Sequence, residues 1–464
     1  MGKDGEGRAA AEGDMAVQLR RMLWLFAPIL FAINLVMPTF HFGDDIDHVR
    51  KAYTVAHLEF PAGARPSGAF VPGHVDAGLE RVIERDASRL LAYRRDLPPV
   101  WMAQTKRETP WEGLMLSGPV AGSIHLPLVY APQALGLRIG ELTGLSIENS
   151  LLLSRLFNGF AALGVIALAF RALPTGVMGA VLVLLALPKT LFAFASNALD
   201  PLLLAGALAV LAMTYQALKA ERTGPLRWLG MAAVIVAIAG ARPPLLAIAL
   251  IPGALALMRR DRAGLAAIAV AIAISVAWSV LIAPGIQDPR CGTPAPLVEK
   301  MTHVLVSGPA MVWRALLRDG GYYYYTLVGE IGWGRAAERL FTPLSPFVYA
   351  TTIPVLGLAS LFVLATPAKL PRLIRLTSLA AAVVYLAGVF FAEAVGCTGL
   401  NTDTITGVQG RYFLPALLML ALAGAGSMSP SRFLPGAFKA VFVGYLMFSV
   451  TVAISSGLYF YWAR

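Results

Sequence analysis

Residues 20–53 read RRMLWLFAPILFAINLVMPTFHFGDDIDHVRKAY. Arg20 and Arg21 stand directly before an apolar run, Met22 to Phe40, and the run ends on a dense knot of charge. A helix of that length spans a hydrocarbon core of roughly 30 Å, and basic residues are retained on the cytoplasmic side. The stretch therefore predicts a first membrane helix over 22–40, a cytoplasmic tail over 1–21, and His41 onward outside. Residues 1–19 are polar and Gly/Ala-rich, so no cleavable signal is expected ahead of this anchor.

The rest of the chain extends the pattern. Of 464 residues, 57% are hydrophobic and only 14% charged, and the mean hydropathy is +0.67. Soluble domains carry about 25% charged residues, so a cytosolic enzyme, a dinucleotide-binding domain or a nucleic-acid-binding protein is excluded. The net charge of +11 is explained by basic cytoplasmic loops rather than by an anionic partner.

Further apolar runs fall at 150–170, 174–195, 198–218, 228–241, 243–257, 263–283, 344–366, 376–394, 411–427 and 437–462. The basic links at Arg171, Lys219–Arg227, Arg259–Arg262, Lys369–Arg375 and Arg432–Lys439 all lie inside if the chain crosses eleven times. The stretch 228–257 must then cross twice, breaking at Arg242-Pro243-Pro244, since proline ends helices. The expected fold is an all-α polytopic integral membrane protein of about 11 transmembrane helices. A first outer loop over 41–149 precedes helices 2–7 at 150–283. A second outer loop, 284–343, precedes helices 8–11 at 344–464.

Within the first loop, 124–141 suits an interfacial helix along the outer leaflet. Residues 76–95 suit an amphipathic one, with Leu79, Val82 and Ile83 opposite Glu80, Arg81 and Glu84. No internal repeat of the transporter kind is visible. The two cysteines, Cys291 and Cys397, both fall outside, where a disulfide between them would persist; two unrelated free thiols are the alternative, and the sequence leaves the choice open.

Candidate chemistry begins where the first helix ends. Asp44, Asp45 and Asp47, with His48, Arg50 and Lys51, crowd one short stretch of a chain poor in charge. If Asp45 opens a helix, Asp44 is its N-cap and His48 lies one turn on, a carboxylate and an imidazole on one face. That pair suits a general base with an orienting partner. Asp44, Asp45, Asp47 and His48 also offer oxygen-rich ligation for a divalent ion, but no second acidic cluster stands outside, so no metal is expected.

The same topology carries Arg155, Asn158, Lys189, Asn197, Asp200, Arg242, Gln409 and Arg411 to the outer ends of helices. Ionisable groups at membrane depth tend to face a cavity and mark a substrate path. Cations beside a carboxylate knot suit an anionic lipid head group, whose tail needs a groove between helices.

The pattern Asp44-Asp45-x-x-His48-x-x-Lys51-Ala52-Tyr53 resembles the Asp-Glu-x-x-His-x-x-Arg-Ala-Tyr signature of a bacterial domain-of-unknown-function family, polytopic membrane proteins grouped by fold with the GT-C glycosyltransferases. Similar blocks follow in that family's order: Tyr130-Ala131-Pro132-Gln133, Arg155-Leu156-Phe157-Asn158, Asn197-Ala198-Leu199-Asp200, Gly332-Trp333 and Gln409-Gly410-Arg411-Tyr412. The usual Glu is Asp45 here, the usual Arg is Lys51, and a Lys-Pro step is Arg242-Pro243.

The resemblance implies a sugar donor carried on polyprenyl phosphate and a catalytic carboxylate just after the first helix, where Asp44 stands. Asp44, helped or replaced by Asp45, and His48 are the expected catalytic group. Arg242, Arg411, Lys189 and Arg155 are expected at the donor phosphate. Asp47, Lys51, Tyr53, Gln133, Asn158, Asn197, Asp200, Trp333 and Gln409 are expected around the substrates. The expected reaction is inverting transfer to an envelope glycan or lipid acceptor, without cofactor, on the outer face of a bacterial cytoplasmic membrane. The alternative is a flippase that moves a lipid-linked sugar without chemistry. It would place matching polar residues on the inner halves of the helices.

Overall fold

The computed structural model describes residues 3–42, 44–60, 71–92, 108–282, 295–332, 341–400, 402–428 and 433–462. Helices dominate. The first membrane passage is continued by two stacked helices, α1 (Lys3–Trp24) and α2 (Phe26–Val36), which together offer an apolar span over Gly13–Val36. The span thus begins and ends earlier than the expected 22–40. The carbonyls at its C-terminal end are bonded by another helix, as described below.

After the turn comes α3 (Asp45–Ala56), then α4 (Ala77–Ala92), which buries Leu79, Val82 and Ile83 and leaves Arg81 exposed, as amphipathic spacing requires. A short antiparallel pair, Pro72–Asp76 with Met115–Pro119, closes the subdomain that follows α2. The buried Asp76 carboxylate accepts from the backbone N–H groups of Gly78, Leu79, Glu112 and Gly113. It staples residues 112–113 to the start of α4.

The stretch 124–141 is not one interfacial helix. A 3₁₀ turn at Pro127–Tyr130 leads into α5 (Ala131–Leu142), because proline at 127 and 132 sets the start of each turn. α5 lies tightly on α6 (Ile147–Ala169): a Cβ at Gly136 or Gly140 would strike Ser154 or Ser150. Small residues at this four-residue spacing let helix backbones approach closely.

The third expected run is broken. α7 (Thr175–Ala186) and α8 (Pro188–Phe194) meet at a 78° bend. Leu187, held extended before Pro188, ends the first helix. α7 is buried along its whole length, and α9 (Asp200–Lys219) is buried over 72% of its apolar window. These helices form the centre, around which α10 (Pro225–Ala241), a 3₁₀ segment Pro243–Ala249, α11 (Leu250–Met258) and α12 (Arg262–Ile282) are arranged. α12 is only 22% buried, so its Val270, Ile274 and Val280 face outward, as lipid-facing residues do.

The segment 284–343, expected as a loop, holds a helix the sequence does not announce. α13 (Leu297–Val328) runs 32 residues through Pro309 and Gly308. It is held by tertiary packing of Val304, Met311, Ala315 and Tyr323 along one stripe. The chain ends with α14 (Pro346–Ala365), α15 (Arg372–Cys397), a 3₁₀ turn Gly410–Phe413, α16 (Leu414–Gly424) and α17 (Leu434–Trp462).

Among the described residues, seven helices are long and apolar enough to cross a membrane, eight if the bent α7–α8 pair is one span. The chain is therefore an all-α multi-pass membrane protein in architecture. Cys397 is disulfide-bonded; Cys291, the other cysteine of the sequence, lies outside the described residues, as does Trp333.

Candidate functional site

The link from α2 to α3 is tightly turned. Phe40 and Asp44 both adopt positive φ, 60° and 66°. Aspartate tolerates this region, whereas a bulky Phe adopts it only where surrounding structure imposes it. Asp44 occupies the N-cap position of α3 but makes no capping hydrogen bond. Its carboxylate is turned instead toward Arg411, whose Nη2 donates to Oδ2 at 2.8 Å.

From there the charges alternate. Arg411 Nη1 stands 3.8 Å from Asp200 Oδ2, and Arg242 Nη2 donates to Asp200 Oδ1 at 3.2 Å. Four elements distant in sequence thus meet in one chain: Asp44, Arg411, Asp200, Arg242. Arg411 is 4% exposed and Asp200 9%, while Asp44 is 47% exposed. The open end of the chain is a carboxylate.

Local sequence explains each placement. Asp200 sits in the first turn of α9 and the acidic group of α3 in its first turn, where helix dipoles favour negative charge. Arg242 is extended (φ −141°, ψ 94°) because Pro243 follows it and stops α10. Arg411 follows Gly410, which presses on α13 so closely that a Cβ would overlap the Tyr323 carbonyl and the Leu327 amide. The Gly410 N–H donates to Thr326 Oγ1 at 2.5 Å.

Aromatic rings pack around the cations. The Arg411 guanidinium and the Lys189 ammonium each stand 4.7 Å from the centre of the Phe42 ring. Arg242 lies 4.5 Å over Tyr412, whose carbonyl accepts from the Tyr385 hydroxyl at 2.7 Å. Such contacts stabilise cations without neutralising them. The bend before α8 turns Lys189 toward this group.

His48 lies one turn beyond Asp44, and its Nδ1 shares a 2.9 Å hydrogen bond with the Tyr130 hydroxyl. Burial pushes the imidazole down to about 4, against the opposing pull of Asp44 and Asp200, so it is neutral near pH 7. His125 stands 5.8 Å from it, ring to ring, and burial lowers that imidazole to about 3.

Other expected site residues form a second, closed network. Asp45 is fully buried, and its Oδ1 accepts from the Asn197 amide at 2.6 Å. Burial raises its carboxyl to about 7, partly offset by Arg155. Asp44, at the N-cap with positive φ, and Asp45, the first residue of α3, therefore face different surroundings. Arg155, expected at a phosphate, donates to the carbonyls of Asn34, Met37 and Pro38 and so satisfies the end of α2. Asn158 donates to the carbonyls of Ser196 and Ala198. The Ser154 hydroxyl bridges Asn197 Oδ1 and the Gln133 carbonyl. These residues fasten α2, α5, α6 and the turn before α9 beneath the charged chain.

Lys51 is buried, its Cβ against Gly122, and burial lowers its ammonium to about 8. Tyr53 belongs to an aromatic group of the outer loop, stacked on Trp111 at 5.6 Å and close to His57, rather than to the ion chain. Asp47 is partly exposed, with its charge acting on Tyr130. Gln409 is nearly buried, and its carbonyl accepts from the Tyr412 amide. Sequence reasoning assigned no role to Phe42, His125, Tyr130, Tyr385 or Tyr412. Phe42, Tyr130 and Tyr412 lie within quoted stretches, but nothing in spacing distinguishes an aromatic under a cation from one in a core. Among the described residues, no three or more His, Cys, Asp or Glu side chains are grouped to hold a metal ion.

Residues 26–420 match the family described as "Predicted membrane protein (DUF2142)", and the chain belongs to that family. No curated protein and no solved structure matches it.

Proposed function

We propose that this protein is an inverting glycosyltransferase of the GT-C type, which uses a polyprenyl-phosphate sugar at the outer face of a bacterial cytoplasmic membrane. The topology in this proposal is eleven crossings with the N-terminus inside. Seven long helices, the bent α7–α8 pair and three shorter apolar helices, Pro225–Ala241, Pro243–Met258 and Gly410–Gly424, coincide with the eleven apolar runs. The basic links then share one side. The ion chain shares the other, together with the disulfide-bonded Cys397, which suits an oxidising compartment.

The observation that carries the proposal is the alternating chain itself, with two guanidiniums behind a half-exposed carboxylate. An acceptor hydroxyl gives its proton to Asp44. The acceptor oxygen bonds to the anomeric carbon as the carbon–oxygen bond to phosphate breaks, and polyprenyl phosphate leaves with the electron pair. Arg411 and Arg242 stabilise the charge gathering on that phosphate, and fork-shaped guanidiniums suit its geometry. Neutral His48 and Tyr130 orient the acceptor beside Asp44. The acceptor is an envelope glycan or lipid.

The test is transfer by purified protein given radiolabelled polyprenyl-phosphate sugars and membrane extract, with and without chelator. A positioned general base contributes about 10²–10⁴-fold, so Asp44→Asn should lower transfer at least about a hundredfold while the protein stays folded. Wild-type-like transfer by Asp44→Asn refutes the assignment. Movement of the lipid-linked sugar across vesicles, with no product formed by wild type, identifies a flippase instead.

A further inference from the structure

The proline step that frees Arg242 also leaves backbone carbonyls without partners. Pro243 and Pro244 have no N–H, so the carbonyls of Ala239 and Gly240 lose their usual donors four residues on. The next donor, the Leu245 amide, goes to the Arg242 carbonyl in the 3₁₀ turn and so abandons Ala241 as well. Buried orphan carbonyls are costly.

Two of them are met from the first outer loop. The Leu126 amide donates to the Gly240 carbonyl at 2.9 Å, and His125 Nδ1 approaches the Ala241 carbonyl at 2.7 Å. A carbonyl only accepts, so Nδ1 carries the proton. A Cβ at Gly240 would lie 2.9 Å from Leu126 Cβ, so glycine is what lets the two backbones approach. On its other side the segment is held by Trp278 of α12, whose indole donates to the Ile124 carbonyl at 3.3 Å.

We propose that His125 is a positioning residue that sets the direction of Arg242. By fixing the peptide plane between Ala241 and Arg242, it holds the guanidinium on Asp200 and toward the ion chain. Two independent readouts test this, and only the second rests on the proposed function. Amide hydrogen exchange is measured on full-length protein in nanodiscs. His125→Ala should speed exchange at Leu126 and Leu245 about tenfold, the worth of one buried hydrogen bond. His125→Asn, whose side-chain N–H replaces Nδ1–H, should restore it. The second readout is affinity for polyprenyl phosphate. His125→Ala should weaken it about tenfold when Arg242 is present and leave it unchanged in an Arg242→Ala background.

Unchanged exchange in His125→Ala overturns the inference, as does an Asn variant no better than Ala, or a binding loss independent of Arg242. If His125→Ala does not fold, His125→Asn and His125→Leu decide it, since only Asn should retain wild-type exchange. If Arg242→Ala alone leaves polyprenyl-phosphate binding intact while the exchange effect and its Asn rescue persist, the positioning role stands and the glycosyltransferase reading falls.

Discussion

Asp44 and Asp45 share a side chain and are bonded neighbours, yet they belong to different structures. Asp44 is half-exposed at the end of an ion chain of two arginines and a second aspartate. Asp45 is sealed from solvent against the Asn197 backbone amide, near an arginine that is itself occupied by helix-end carbonyls. The contrast separates a surface where charge is offered from one where charge is consumed in joining helices. A buried backbone group left without a partner is costly. Placing Asp45 on the Asn197 amide and Arg155 on the end of α2 therefore makes sense as a way to fix the turn that presents Asp44.

The widest separation should appear in activity. Asp44→Asn should lower transfer at least about a hundredfold, whereas Asp45→Asn, which keeps an acceptor for the Asn197 amide, should retain most of it in the same assay. Equal losses would merge the two regions. Next, Arg155→Met should destabilise the protein by about 3 kcal/mol, the cost of leaving the buried carbonyls at the end of α2 without a donor, read by denaturant unfolding in micelles. Transfer per folded molecule should survive.

Arg411→Lys tests whether one cation serves two carboxylates. An ammonium lacks the fork that reaches both Asp44 and Asp200, so transfer should fall about tenfold while the net charge is kept.

The smallest effect is a pH dependence. Asp45 titrates near 7 in the fold, against an ordinary value near 4 in the unfolded chain, so between these values the native state holds the extra proton. Its contribution is full below about 4 and is lost as pH rises through about 7. Thermal unfolding between pH 4 and 8 should lose this component of the slope in Asp45→Asn.

Much of this could be read from the residues. Proline at 243 announced the break after Arg242, and the acidic knot pointed to the Asp44 region; the bend at Pro188 went unread because the apolar run 174–195 continues through it. Arg242 and Arg411 were legible because charge is rare in so apolar a chain. Spacing could not divide Asp44 from Asp45, since the left-handed turn at Asp44 that sends the two side chains apart is visible only in the folded chain. Arg155 looked like a ligand for the same reason: a sequence shows a cation at a helix end but not the carbonyls of another helix that take it up. α13 was hidden because Pro309 and Gly308 oppose a helix locally, and only packing against α15 and the Gly410 turn sustains it. His125 is subtler. The Pro243-Pro244 step declares that donors are needed, but not that they come from more than a hundred residues earlier.

Phe42 has a consequence of its own. Its ring lies at equal distance, 4.7 Å, from a lysine and an arginine on separate helices. A hydrocarbon face draws both cations near without adding a charge of its own. The benzene ring is thus a neutral spacer that lets a lysine and an arginine from distant parts of the chain lie side by side.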